Sequence, residues 1–327
     1  MSEPLRVVAL GGGHGLAASL SALRRVCAPP AIELTAVVTV ADDGGSSGRL
    51  RREFDCLPPG DLRMALSALC GDDEWGQLWT RVAQHRFDEP SPPRAGSLGG
   101  HSVGNLLILA LWQLLGDPVQ GLDHVGRLLG AHGRVLPMSL DPIDIEADVV
   151  LPGHTELTQV RGQVAVASSR GRLVAVRLHP QSPTACPQAV AAVLAADWVV
   201  LGPGSWFTSV LPHLLVPDLR DAICSTRAGR VVALNLVPQP GETAGFSPEQ
   251  HLEVLSAHAP DLTVDVVLGD SAAVTDPQRL ESVAKTLGAR LVLAPVAAAD
   301  RSPRHDPELL AAAYGEILRG GRIPPWR

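Results

Sequence analysis

The 327-residue chain carries 27 Lys+Arg against 34 Asp+Glu, a formal charge of −7 with a pI near 5.9, which argues against the basic face that non-specific binding to nucleic acid or an anionic membrane needs. Its 46% hydrophobic and 19% charged residues describe a folded globular protein rather than a disordered one, and 3% aromatics leave too few rings for the stacking platforms of single-strand binders. All but one of the basic residues are arginine, Lys285 being the exception, so lysine-based phosphate or Schiff-base chemistry is removed almost everywhere.

Short apolar runs alternate with helix-period segments, the pattern of a parallel sheet covered on both faces. The first strand is Leu5–Leu10; beyond a glycine turn, Leu16, Leu20 and Leu23 recur at i, i+4, i+7 on a first helix. Ile32–Val40 reads as the second strand. Asp61, after the Pro58-Pro59-Gly60 turn, is expected to N-cap a helix that places Leu62, Leu66 and Leu69 on one face. Residues 88–100 (DEPSPPRAGSLGG) are expected to form a mobile loop, and Val103–Leu115, apolar on nearly every side, a buried helix. Over 143–180 the character changes: Val149–Leu151, Gln163–Ala167 and Leu173–Leu178 are read as strands of a small antiparallel insertion. The βα rhythm then returns, with strands near 198–201, 230–236, 264–268 and 290–293. The expected fold class is α/β: a doubly wound, mainly parallel Rossmann-like sheet in three αβα layers. It forms one domain over residues 1–327, with a β-rich insertion at about 143–180.

The five cysteines (Cys27, Cys56, Cys70, Cys186, Cys224) are odd in number, scattered and never in a CxxC pair, so reduced thiols are expected rather than a disulfide framework or a zinc ribbon. Glycines interrupt the apolar run of the N-terminal MSEPLRVVALGGGHG, leaving no signal-peptide core. The longest uncharged apolar stretch, Ser102–Gly116, is too short to span a bilayer comfortably. The expected location is the cytoplasm.

Four segments could carry chemistry. Gly11–Ala18 contains G-x-G-x-x-A (Gly13, Gly15, Ala18) between strand and helix; there glycines let backbone approach a phosphate and the helix start offers N–H groups and a positive dipole. Read without a ligand, it is a tight strand–helix turn. Ala41–Arg49 (ADDGGSSGR) lies at the carboxyl end of the second strand, where ligands bind open α/β sheets. Asp42 and Asp43 can take ribose hydroxyls or share a divalent ion, whereas a polar capping loop would explain Ser46 and Ser47 but not both aspartates. Leu201–Ser209 (LGPGSWFTS) repeats the strand–glycine–helix pattern, so two cradles suggest a diphosphate or nucleotide-sized ligand. Gly100-His101-Ser102-Val103-Gly104 spells the G-x-S-x-G nucleophile elbow, with Asp270 and His305 in triad order, but a loop precedes it where the elbow needs a strand. A loop-to-helix entry in which His101, Ser102 and Asn105 line a pocket is the better reading. An NAD-dependent oxidoreductase fits the first turn, but Asp42 comes later than the acid about 20 residues on that such enzymes use. Asn235 with Gln239–Thr243, and Arg304-His305-Asp306, are lesser candidates.

In order, GGGHGL, VTVADDGGSSGRLR, PPGDLR, GHSVGN, RVLPMSLDP, LGPGSWFTS, NLVPQPGET and RHDP resemble the YvcK family of gluconeogenesis factors, within the superfamily of CofD, the 2-phospho-L-lactate transferase. The second and seventh of these blocks favour the YvcK branch. The resemblance implies a cytoplasmic regulator that binds a UDP-sugar, UDP-N-acetylglucosamine, and links central carbon metabolism to peptidoglycan synthesis and cell shape. It implies no established catalytic step, a protein partner in cell-wall precursor synthesis, no nucleic acid, no membrane insertion, and scope for a homo-oligomer. By position it implies a site formed by Gly12, Gly13, His14, Asp42, Asp43, Ser46, Arg49, Asp61, Arg63, Asn105, Gly204, Ser205, Thr208, Asn235 and Arg304, with Mg2+ as the ion that Asp42 and Asp43 could share. The alternative is a CofD-like, metal-dependent phosphoryl or nucleotidyl transferase. Two departures stand out. The family's glycine loop commonly reads GGGTGL, so His14 replaces a hydroxyl with a titratable ring whose ordinary pKa is near 6.5. Pro307 follows Arg304-His305-Asp306, so a hydroxyl found there in some members is absent.

Overall fold

Glycine, proline and cap residues cut the apolar runs into elements of matching length. The computed structural model describes residues 3–26, 31–89, 97–239, 241–300 and 302–320. The N-terminal half contains β1 (Leu5–Gly11), α1 (Gly13–Leu23), β2 (Ile32–Val38), α2 (Gly45–Phe54), α3 (Gly60–Ala68), α4 (Glu74–Gln84), α5 (Val103–Leu115), α6 (Pro118–Leu129) and β3 (Arg134–Pro137). Next come β4 (Asp144–Val150), β5 (Leu157–Arg161), α7 (Gln163–Ala167) and β6 (Arg172–His179). The chain continues through α8 (Pro187–Ala195), β7 (Trp198–Leu201), a π-helical turn (Trp206–Val210), α9 (Pro212–Leu215), α10 (Pro217–Ser225) and β8 (Gly229–Ala233). It closes with α11 (Pro248–His258), β9 (Val266–Asp270), α12 (Pro277–Thr286), β10 (Arg290–Ala294) and α13 (Pro307–Arg319).

Seven strands form one sheet in the order β10-β9-β8-β7-β1-β2-β3, and every pairing in it is parallel. β7, β8 and β9 are buried along their whole length, as strands covered on both faces must be. Cap residue followed by proline starts several helices: Asp117-Pro118, Ser247-Pro248, Asp276-Pro277 and Asp306-Pro307, each with the cap side chain accepting a first-turn N–H. A buried Ser19–Tyr314 hydroxyl pair at 2.9 Å ties α1 to α13. β5, β4 and β6 form the separate antiparallel sheet of the insertion.

The doubly wound sheet and the antiparallel insertion are thus present. Three local expectations are corrected. Gln163–Ala167 is helix, not strand: one glutamine and four apolar residues have no decisive period, Gly162 turns the chain at φ +100°, and Asp43 accepts the Val164 N–H. The strand is the preceding, largely exposed Leu157–Arg161. Asp61 is not an N-cap, because α3 begins at Gly60 after Pro59 and Asp61 lies inside the first turn. β3, the four-residue edge strand, is additional to the strands expected from sequence. The central part of the expected loop at 88–100, residues 90–96, lies outside the described residues. Cys56, Cys70, Cys186 and Cys224 are free thiols. No helix among the described residues is long and apolar enough to cross a membrane.

Candidate functional site

The chain leaves β1 for β2 on one side and later returns to β7 on the other, so the strand order reverses between β1 and β7. Loops diverge at such a point and open a crevice at the carboxyl ends of the strands. A cavity of about 460 Å3 occupies it, lined by the β1–α1 turn, the 203–205 turn, the loop after β8, Pro303–His305, Asp61 and Gln163.

Glycine is required here by geometry. Gly13 has φ +56° and Gly202 φ +75°, left-handed values that favour glycine. A side chain on Gly15 would lie 2.3 Å from the Pro203 carbonyl oxygen and 2.5 Å from Gly204 Cα. The two glycine turns therefore touch backbone to backbone. Gly12, which precedes α1, has no side chain to cap the helix; the Asp61 carboxylate takes the Gly13 N–H of the first turn instead. Asn235, at the end of β8, clamps the second turn from both sides: its Oδ1 accepts from Gly204 N–H at 2.9 Å and its Nδ2 donates to Gly204 O at 2.8 Å.

Asp61 closes the floor. Its carboxylate accepts the Gly13 N–H, and burial together with the charge of Asp42 pushes its pKa up from 3.8 to about 7. A Cβ on Gly12 would sit 2.5 Å from Asp61 Oδ2. Asp42 accepts the Gly44 N–H at 2.9 Å through Oδ1, and its Oδ2 abuts Gly60. Asp43 turns away to α7, its Oδ1 accepting the Val164 N–H at 2.9 Å. No group of three or more His, Cys, Asp or Glu among the described residues is placed to hold a metal; Asp43 is turned away from Asp42, and the charge of Asp42 acts on Asp61.

Of the residues expected from sequence, Gly12, Gly13, His14, Asp61, Gly204, Ser205, Asn235 and Arg304 line the cavity. Arg304 is 73% exposed and its guanidinium pairs with Asp300 at 2.7 Å. Ser46, Arg63 and Asn105 do not line it; they form a chain of their own. Ser46 Oγ meets His101 Nδ1 at 2.9 Å and accepts from Asn105 Nδ2 at 3.1 Å, while Arg63 Nε donates to Asn105 Oδ1 at 2.9 Å and its Nη1 to Gln84. Burial and the charge of Arg86 lower the Arg63 pKa to about 10, so it stays cationic at neutral pH. Arg49 donates to the Gly99 carbonyl at 2.7 Å and holds the 99–100 turn rather than the cavity. Thr208 is also withdrawn: its hydroxyl donates to Glu242 Oε1 at 2.6 Å, and Glu242 Oε2 accepts the Phe207 N–H at 3.1 Å. The second cradle is thus stoppered at its helical end by a buried carboxylate.

The hydrolase triad is not assembled. Ser102 Oγ is buried with no hydrogen-bond partner among the described residues. Asp270 spends its carboxylate on the N–H groups of Ala272, Ala273, Val296 and Ala297. His305 lines the cavity, which Ser102 does not. Three contributors were missed as site residues: Gln163, Ser209 and Gln239. Gln239 sat in a segment already singled out, but Gln163 belongs to the insertion, and nothing in its local pattern points across to the glycine turns.

Comparison with known proteins agrees with this architecture. The family model described as 2-phospho-L-lactate transferase CofD matches residues 7–293. The chain is 52% identical over 328 residues to the "Putative gluconeogenesis factor" of Mycobacterium tuberculosis H37Rv, covering 98% of this chain and 93% of that protein. It is 37% identical over 271 residues to the "Gluconeogenesis factor" of Halalkalibacterium halodurans, covering 83% and 79%. A crystal structure of a UPF0052-family protein from Bacillus halodurans superposes with a TM-score of 0.83 at 32% identity, covering 96% of this chain and 99% of that one.

Proposed function

From a chain that belongs to the CofD family, in its gluconeogenesis-factor (YvcK) branch, we propose a cytoplasmic regulator that binds a nucleoside-diphosphate sugar, UDP-N-acetylglucosamine, and couples central carbon metabolism to cell-wall precursor synthesis through a protein partner. The observation that carries the reading is the cavity at the sheet's reversal point. Its 460 Å3 falls in the range of about 300–1,000 Å3 typical of small-molecule sites. Its wall joins the start of α1, where Asp61 takes the Gly13 N–H, to a second glycine turn in direct backbone contact, an arrangement that offers the remaining N–H donors to a diphosphate without needing basic side chains. Arg304 at the rim adds the one arginine among the described residues that line it.

The test is calorimetric titration of the purified protein with UDP-N-acetylglucosamine. Saturable binding is expected, and Arg304→Ala should weaken it about tenfold without altering the thermal midpoint, since an exposed i,i+4 ion pair contributes little to stability. Absence of binding at millimolar ligand would refute the proposal. The transferase alternative draws on the Asp42–Asp61 pair. Those two residues would hold Mg2+, which when bound neutralises phosphate charge, and Asp43 would hold α7 in place. Metal-dependent consumption of a nucleoside-diphosphate donor that is lost in Asp42→Asn would favour it over the regulator.

A further inference from the structure

Two side chains on the cavity wall have no use in the fold. Gln163 Oε1 and Gln239 Oε1 are both buried and without a hydrogen-bond partner among the described residues, and both residues line the cavity. Buried acceptors left unpaired cost stability, so two in one wall call for a reason. The surrounding backbone is fixed. Gln163 opens α7 directly after Gly162, with the next residue's N–H held by Asp43. The Gln239 N–H donates to Thr243 Oγ1 at 2.8 Å, while its carbonyl accepts the Thr243 N–H at 3.0 Å. The two segments abut, for a Cβ on Gly241 would lie 1.8 Å from the Ala167 carbonyl oxygen. Rotation about the last side-chain bond is the motion that would bring either buried oxygen to the cavity.

An unpaired carbonyl oxygen needs a donor, and a diphosphate, which only accepts at neutral pH, offers none. We propose that Gln163 and Gln239 form a carboxamide pair that selects a neutral N–H or O–H donor carried by the ligand outside its diphosphate. The pair is thus the specificity-determining wall of the cavity, with Gln163 delivered by the antiparallel insertion. This rests on the nucleotide-sugar reading above. Such a donor has two sources, the nucleoside (base imide or ribose hydroxyl) or the sugar beyond the diphosphate, and the test separates them.

Gln163→Met and Gln239→Met keep length and bulk while removing the carboxamide. Calorimetry with UDP-N-acetylglucosamine and with UDP is run on the full chain alongside thermal melts. Each variant is expected to bind UDP-N-acetylglucosamine about tenfold more weakly, about 1.4 kcal/mol, with a thermal midpoint unchanged or raised. An equal loss for UDP assigns the donor to the nucleoside; UDP affinity within twofold of wild type assigns it to the sugar beyond the diphosphate. Both outcomes support the proposal. Unchanged UDP-N-acetylglucosamine affinity in both variants overturns it and leaves the nucleotide-sugar reading standing. A lowered thermal midpoint with unchanged affinity assigns the glutamines to the fold and likewise overturns it. No binding of either ligand by wild type refutes the nucleotide-sugar reading, and this inference with it.

Discussion

Replacing Asp61 with Asn isolates the electrostatic strain at the floor of the cavity. Asn keeps an oxygen for the Gly13 N–H that the carboxylate accepts, and removes only the charge that burial and Asp42 oppose. In the folded protein the Asp61 carboxyl titrates at about 7, against about 3.9 in an unfolded chain. Between those values the folded state holds a proton that the unfolded state has released. Wild-type stability therefore falls as pH rises from about 4 to 7 and levels off above. Three pH units at about 1.4 kcal/mol each give a ceiling near 4 kcal/mol, and water reaching Asp61 through the cavity lowers this to about 2–4 kcal/mol. Urea unfolding of wild type and Asp61→Asn from pH 4.5 to 8.5 should show the variant's advantage opening from below 1 kcal/mol at the acid end to a plateau above pH 7. Titrating groups that do not interact with Asp61 cancel in the difference. A gap that is constant with pH, or a variant less stable than wild type at pH 8, would refute the reasoning.

Gly15→Ala places a Cβ 2.3 Å from the Pro203 carbonyl; it should lose about 1–3 kcal/mol in urea unfolding because neither contacting atom is a flexible side chain. Asn235→Ala strips both hydrogen bonds from Gly204; a loss of about 1–3 kcal/mol is expected, with weaker UDP-N-acetylglucosamine binding measured by calorimetry. Asp43→Ala removes the acceptor for the Val164 N–H, and hydrogen exchange should quicken over residues 162–168 while the central sheet keeps its protection, at a cost of about 1 kcal/mol.

Much of the fold was legible because its signals are local. A buried parallel strand such as Trp198–Leu201 is apolar throughout, and the Asp-Pro and Ser-Pro helix starts are written in adjacent residues. The errors fall where local signal is weak. Gln163–Ala167 is too short for its period to discriminate, and four-residue β3 is held by pairing with β2. The glycine turns were legible for the same reason as the strands, and the structure gives them the positions their motif requires.

The division of labour within the motifs was not legible. Asp42 and Asp43 are neighbours in sequence, yet the charge of one acts on Asp61 and the other caps a helix of the insertion. Thr208 sits in a phosphate-like motif, but Glu242, 34 residues on, occupies its hydroxyl. Arg63, Asn105 and Ser46 look like ligand residues and satisfy one another instead. By itself the sequence determined the parallel α/β sheet and the two glycine turns in an acidic, nearly lysine-free chain. Only the tertiary structure decided which polar side chains remain available to a ligand, because a hydrogen bond uses up its partners, and those partners come from segments far apart in the chain.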